Sequence, residues 1–316
     1  MGWSLAGAVL SIVAFVSSLR VMRMGLEGLA KGRLPALLRQ CAGTTTRGLL
    51  TGTLVSALLQ SSAAVTAITV GLVAGGNLAF RDTIGIILGA NVGTTLTSQL
   101  LTFNLWQFAV PALVLGLAAL LTGWLRRSAK LHCAGLAIVG FAGIMIALEV
   151  LVAALHPLAL TAWFSKWLAT AGSDPLLALL TGCLASAMLQ SSTATTVITM
   201  ALAMDRLIPL EGAVCIILGA NVGTCATSVI AAIGQSRAAM QVAVAHVLLN
   251  VAGAVLAFPF VDAFANLVTW IGGPANRQVA NVHTIFNVVC TLLAWPIAAQ
   301  FARLVERLLP DQRRAG

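Results

Sequence analysis

Three hundred and sixteen residues would suffice for one large or two ordinary soluble domains, but 59% of them are hydrophobic and only 9% charged, where a soluble chain is roughly one quarter charged. That balance excludes a soluble globule. A mean hydropathy of +0.99, with charge-free stretches recurring along the chain, describes an all-α polytopic protein solvated by lipid. The formal charge of +9 does not mark a nucleic-acid binder, because no basic run is interleaved with aromatics and the 18 Lys and Arg fall in the gaps between apolar segments.

Taken in chain order, residues 1–19 lack a basic leader and run into a longer apolar segment, so they are read as the first span. Residues 26–40, with Lys31, Arg33 and Arg39 among leucines, read as a helix lying in the interface. Between Arg47 and Arg81 lie 33 uncharged residues, too many for one ordinary span of ~20 and too few for two plus a turn. A re-entrant hairpin of two half-helices solves this, with Gln60, Ser61 and Ser62 at its tip. The 43 uncharged residues between Asp82 and Arg126 fit two spans joined near Thr102, Phe103 and Asn104. The first of these carries Gly89-Ala90-Asn91-Val92-Gly93-Thr94 at its middle, where a helix break is expected. The 30 uncharged residues between Asp174 and Asp205 give a second hairpin, with Gln190, Ser191 and Ser192 at its tip.

The two hairpins are copies. A shift of 130 positions aligns residues 51–98 with 181–228 without a gap and with 25 of 48 positions identical. IILGANVGT recurs intact at 86–94 and 216–224. Two units are too few for a solenoid. With one hairpin and three crossings per copy, the odd count inverts the second repeat relative to the first. The organisation expected is a first transport repeat at 1–130, a second at 131–260, and a C-terminal transmembrane helix and tail at 261–316. Fifteen of the 18 basic residues fall on one side of this arrangement and Lys166, Arg206 and Arg277 on the other. The positive-inside rule then makes it a multi-pass inner (plasma) membrane protein with its N-terminus outside and its C-terminus cytoplasmic.

Polar backbone at mid-membrane depth survives only when buried in protein or lining an aqueous cavity. Half-helices that start at the tips would aim free N–H groups and the positive dipole end at an anion. The hydroxyls of Ser61, Ser62, Ser191, Ser192 and Thr193 add donors. Their lone pairs, with carbonyls freed at Gly89, Ala90, Gly219 and Ala220, suit a hard cation such as sodium. Inverted repeats with discontinuous helices are the plan of a secondary transporter. For one motif alone, Ser and Thr bonding back to their own helix and Gly-x-x-x-Gly marking helix packing would explain as much. The duplication is what favours a functional reading.

A doubled Gln-Ser-Ser tip, each copy followed about 30 residues later by Gly-Ala-Asn-Val-Gly-Thr, resembles the type II sodium-phosphate cotransporter family, from Phe15 to about Pro296. The resemblance implies sodium-coupled uptake of inorganic phosphate and no enzymatic activity. It places substrate at Gln60, Ser61, Ser62, Gln190, Ser191, Ser192, Thr193, Asn91 and Asn221. Co-transported sodium lies near Ser61, Ser62, Thr94, Ser191, Ser192 and Thr224. Two departures stand out. The first tip reads Gln-Ser-Ser-Ala, ending at Ala63, where the family more often has a third hydroxyl. The sequence also reaches Gly316 without the cytosolic C-terminal domain many bacterial relatives carry.

Other readings stay open at this level. A passive anion channel or a carrier of another oxyanion would use the same hairpins. An intramembrane enzyme would need a base beside Ser61 or Ser191, and none is placed by the sequence. The His246/Asn250 and His283/Asn287 pairs, each i, i+4, read as interhelical hydrogen bonds or as a family H-x-x-x-N element. Glu149 is either an intramembrane functional acid or an acid near the end of its span. Cys41, Cys133, Cys183, Cys215, Cys225 and Cys290 read as small buried hydrophobes. No Lys or Arg lies within ten residues of either tip, so sodium is expected to supply the charge that half-helix dipoles of about half a unit each cannot.

Overall fold

The computed structural model describes residues 2–30, 33–103, 106–159, 161, 162, 166, 170 and 172–310. Met1, Lys31, Asn104, Arg313 and Arg314, which entered the span and charge expectations above, lie outside the described residues. Among those described, the chain is helical without strands. The helices are α1 (Gly2–Ala30), α2 (Arg33–Cys41), α3 (Thr45–Leu59), α4 (Ser62–Ala74), α5 (Phe80–Leu100), α6 (Ala109–Leu125), α7 (Ala129–Ala159), α8 (Pro175–Leu189), α9 (Ser192–Met204), α10 (Leu210–Gly223), α11 (Ala226–Ala232), α12 (Arg237–Ala257), α13 (Val261–Ile271), α14 (Ala275–Ala294) and α15 (Ala298–Leu308). Short 3₁₀ turns at Phe258–Phe260 and Trp295–Ile297 join α12 to α13 and α14 to α15.

Among the described residues five stretches are long and apolar enough to cross a bilayer: Leu5–Ala30, Ala129–Leu155, Leu210–Ala232, Arg237–Ile271 and Ala275–Leu308. Their outward faces are apolar as well. α6 exposes Val110, Val114, Leu117 and Leu121 at helical spacing, a face only lipid would solvate. The protein is therefore an all-α, multi-pass membrane protein. α1 packs along α7, where Gly25 lies against Ala137 and Gly140 against Met22. Residues 26–30 continue α1, so only α2 remains of the separate amphipathic helix expected at 26–40. It buries Leu34 and Leu38 and exposes Arg33 and Arg39.

Each expected hairpin segment forms a helix, a tight turn and a second helix, of 15 and 13 residues in both copies. Capping explains the boundaries. The Thr44 hydroxyl accepts from the Arg47 amide at 3.2 Å, and the Asp174 carboxylate from the Leu177 amide at 2.9 Å, with Pro175 opening α8.

The expected break at Gly89–Thr94 is absent. α5 runs unbroken through it for 21 residues, whereas in the second copy the helix is interrupted at the motif's last residue, Thr224, and at Cys225, between α10 and α11. The glycines serve close packing instead. A Cβ at Gly89 would stand 2.7 Å from the Thr53 nitrogen and overlap the Leu49 carbonyl oxygen. Gly85 meets the Thr45 carbonyl and Gly93 the Thr53 carbonyl in the same way. One stripe at four-residue spacing thus seats α5 directly on the backbone of α3. Gly219 and Gly223 repeat this on Leu179 and Cys183, seating α10 on α8. The carbonyls of Ala90 and Ala220, expected to be freed, are engaged instead: Ala90 accepts the Ser56 hydroxyl at 2.7 Å, and Ala220 accepts the Thr224 amide at 3.1 Å.

Candidate functional site

The two tips are built alike. Gln60 (φ 52°, ψ 36°) and Gln190 (φ 53°, ψ 35°) end α3 and α8 in the left-handed region, which non-glycine residues enter only when their surroundings fix them. The amides of Gln60 and Ser61 both donate to the Ser56 carbonyl, and those of Gln190 and Ser191 to the Ser186 carbonyl, a Schellman-like closure of each helix. One residue later the chain extends, at φ −158° and −160°, and Ser61 and Ser191 cap α4 and α9. Their hydroxyls accept from Ala64 at 3.1 Å and Ala194 at 3.2 Å. The amides at the first two helical positions, Ser62 and Ala63 in one copy and Ser192 and Thr193 in the other, have no partner within their helix. Four backbone donors and two dipole ends are therefore presented at the tips.

The tips of the two repeats meet. The Arg23 Nη2 of α1 donates to the Gln60 carbonyl at 3.3 Å and to the Ser191 hydroxyl at 3.4 Å. Thr193, two residues after Ser191, pairs through its hydroxyl with that of Thr94 at 3.1 Å, tying α5 of the first repeat to α9 of the second. The expectation that no basic residue reaches the tips is thereby corrected: Arg23 is distant along the chain but not in space. It was counted with the surface basic residues because linear charge spacing does not show which face of a helix a residue occupies. The helical phase does. Phe15, Leu19 and Met22 form the buried stripe of α1, and Arg23 follows Leu19 by one turn, while Arg20 falls on the exposed side.

Ser61, Ser62, Ser191, Ser192, Thr193, Thr94 and Thr224 are all buried. The two asparagines turn elsewhere. Asn91 donates to the Asn250 side chain of α12 at 3.3 Å, and Asn221 donates to the Ile217 carbonyl of its own helix at 2.8 Å. Thr66, Thr69, Thr196 and Thr199 bond back to carbonyls four residues earlier, the local pattern that Ser and Thr in spans often adopt. Buried hydroxyls without a partner include Thr224 and, at matching positions of the two copies, Thr97 and Thr227. The 130-residue offset was the signal that could have found that last pair. Thr94 and Thr224 also correspond, yet only Thr94 has a hydroxyl partner, Thr193, whose counterpart in the first copy is Ala63.

The histidine pairs act between helices. His246 Nδ1 lies 2.9 Å from the Ser228 hydroxyl and His283 Nδ1 3.1 Å from that of Ser98. Ser228 also donates to the Cys225 carbonyl at 2.7 Å, which leaves its oxygen to accept from His246. Asn250 and Asn287 bond to the carbonyls of His246 and His283. Glu149 is exposed on α7. The five cysteines with described side chains are free thiols. A cavity of about 620 Å³ lies between α12, α13 and α14, but of the expected site residues only Asn91 lines it, and its walls are mostly apolar. The side chains of Asn91, Asn250, Asn287 and Thr291 that line it already donate to Asn250, His246, His283 and Leu88.

An all-helical bundle with exposed apolar flanks and two polar turns meeting in its interior has the build of a membrane transporter. The model of the Na+/Pi-cotransporter family matches residues 14–153 and again 154–271, each segment holding one Gln-Ser-Ser and one Gly-Ala-Asn-Val-Gly-Thr. The chain belongs to that family, whose members are transporters rather than enzymes, and membership supports phosphate transport. It is 31% identical over 257 residues to "Uncharacterized protein YqeW" of Bacillus subtilis, covering 81% of this chain and 82% of the relative. It is 29% identical to proteins called "Putative inorganic phosphate export protein YjbB" in Salmonella typhimurium, over 267 residues and 84% of this chain, and in Escherichia coli K12, over 258 residues and 81%. The chain spans about half the length of those two, 49% and 47%. No solved structure matches it.

Proposed function

We propose that the protein is a sodium-coupled symporter of inorganic phosphate, working by alternating access at a midplane site between the two Gln-Ser-Ser tips. The observation that carries this reading is convergence: a single nitrogen lies within 3.4 Å of both tips, although they sit 130 residues apart. The tips belong to re-entrant hairpins of two inverted repeats, with the N-terminus outside and the basic-rich segments in the cytoplasm. Phosphate takes the free amides of α4 and α9 and the hydroxyls of Ser61, Ser62, Ser191, Ser192 and Thr193, with Gln60 and Gln190 around it, while Asn91 and Asn221, held by Asn250 and Ile217, brace the helices behind the site. Sodium, as cargo, takes hydroxyl oxygens of Ser61, Ser62, Thr94, Ser191, Ser192 and Thr224, of which Thr224 is buried without a partner.

An inward sodium gradient drives a symporter toward uptake. The name of the YjbB relatives speaks for export, which the same site would perform if phosphate rather than sodium supplied the larger gradient. Shared binding of cation and anion has a reciprocal signature: sodium raises phosphate affinity and phosphate raises sodium affinity by the same factor. Calorimetric titration of phosphate into purified protein at several sodium concentrations and fixed ionic strength measures it. A phosphate affinity independent of sodium refutes the coupling and leaves a passive path.

A further inference from the structure

Among the described residues Arg23 has no ion-pair partner and meets Glu27 only as a longer-range Coulombic neighbour. Its side chain lies part-buried between the tips, its two contacts are to neutral acceptors at 3.3 and 3.4 Å, and its Nε is shielded from solvent with no partner. Among the described residues the one ion pair joins Arg81 to Glu306. Glu27, one turn beyond Arg23 on α1, is exposed and makes no ion pair with it. A guanidinium withdrawn from water with donors unused is costly unless something negative completes it. The second repeat has no equivalent, since residues 131–159 of α7 contain neither Lys nor Arg. One arginine thus serves both tips.

We infer that the Arg23 guanidinium is the fixed positive charge that binds the transported oxyanion, its planar fork taking two oxygens while the half-helix amides of both tips take the others. This rests on the tips being the transport site. The charges match: two helix N-termini at about half a unit each, with one guanidinium, oppose a doubly charged anion. Its present contacts, to the Gln60 carbonyl and the Ser191 hydroxyl, hold the guanidinium where an anion between the tips would find it. When the oxyanion leaves, Arg23 falls back on those neutral acceptors, so no bare charge is left in the site.

The test uses the full chain, purified, with thermal melting and titration of inorganic phosphate, sulfate and chloride at fixed ionic strength and saturating sodium. Phosphate should raise the melting point of the unsubstituted protein. Arg23→Gln should melt no lower than it without anion, having lost an unpaired buried charge, yet bind phosphate roughly 10- to 150-fold more weakly. Arg23→Lys, which keeps the charge but not the fork, should fall between, and it decides the matter if Arg23→Gln does not insert stably. Phosphate affinity unchanged in Arg23→Gln, or in Arg23→Lys where that variant decides, overturns the assignment. So does an Arg23→Gln that melts lower without anion yet binds as before. Stabilisation by sulfate and not phosphate, lost in Arg23→Gln, upholds the arginine site and refutes phosphate as cargo. No stabilisation by any of the three anions refutes both.

Discussion

Replacing Gly89 by alanine separates two readings of the Gly-Ala-Asn-Val-Gly-Thr segment. If Gly89 weakened α5 so that it could open, alanine would strengthen the helix by roughly 0.5–1 kcal/mol and the protein would melt higher. In the structure the new methyl instead overlaps the Leu49 carbonyl oxygen and stands 2.7 Å from the Thr53 nitrogen. Both are backbone atoms, so no rotamer relieves the contact and α3 and α5 must part. Overpacking of this kind costs about 1–3 kcal/mol. Parting also strains the 2.7 Å bond from Ser56 to the Ala90 carbonyl, adjacent to Gly89, and with it the turn at Gln60. Gly71→Ala is the control: it lies in the interior of α4 with nothing within 4 Å of its added methyl, so helix propensity alone acts. Melting in detergent with phosphate binding on the same samples provides the comparison. Gly89→Ala should melt lower and bind more weakly, while Gly71→Ala melts at or above the parent. A Gly89→Ala protein as stable as Gly71→Ala would refute the packing role of the stripe.

Other consequences can be measured on the same preparations. Thr94→Ala and Thr193→Ala should each cost about 1 kcal/mol, and the double variant less than the sum, because they share the 3.1 Å bond between repeats; strict additivity would show that bond to contribute nothing. Ser228→Ala and Ser98→Ala strand a buried imidazole donor or acceptor and should destabilise by about 1–3 kcal/mol each, read as lower melting points, whereas unchanged melting would remove the histidines from the interhelical framework. Ser191→Ala removes both the cap on Ala194 and an acceptor of Arg23. It should weaken phosphate binding at least as much as Ser61→Ala, whose hydroxyl, among the described residues, accepts only from Ala64. Single cysteines beside Arg47 and Arg81 should label from the cytoplasmic side only, and those beside Asp174 and Asp205 from outside only; labelling of both sets from one side would contradict inversion.

The tips were legible because two constraints coincide there. Charge-free length limits each segment to two short helices, and Ser61 and Ser191 are residues that cap helices rather than sit inside them. Duplication then located both. The glycine motif was ambiguous in one dimension, since Gly-x-x-x-Gly lowers helix propensity and narrows a helix at once, and only the neighbour decides which matters. In α5 that neighbour is the backbone of α3. Arg23 was hidden for a different reason. Counting charges along the chain sends every basic residue to the membrane surface, whereas one placed on the buried stripe of α1 is carried inward to the tips. The partners chosen by Asn91 and Asn221, one across to α12 and one along its own helix, depend on local packing that differs between copies and left no trace in their identical motifs.

Sodium-coupled phosphate transport is tested most directly by uptake into liposomes holding the purified protein as the sole transporter. Labelled phosphate starts equal on both sides, and a sodium gradient is imposed in either direction. Coupling predicts accumulation of phosphate on the low-sodium side, above its starting concentration, reversed when the gradient is reversed and abolished when choline replaces sodium. Phosphate that only equilibrates, at the same rate with or without sodium, would contradict it.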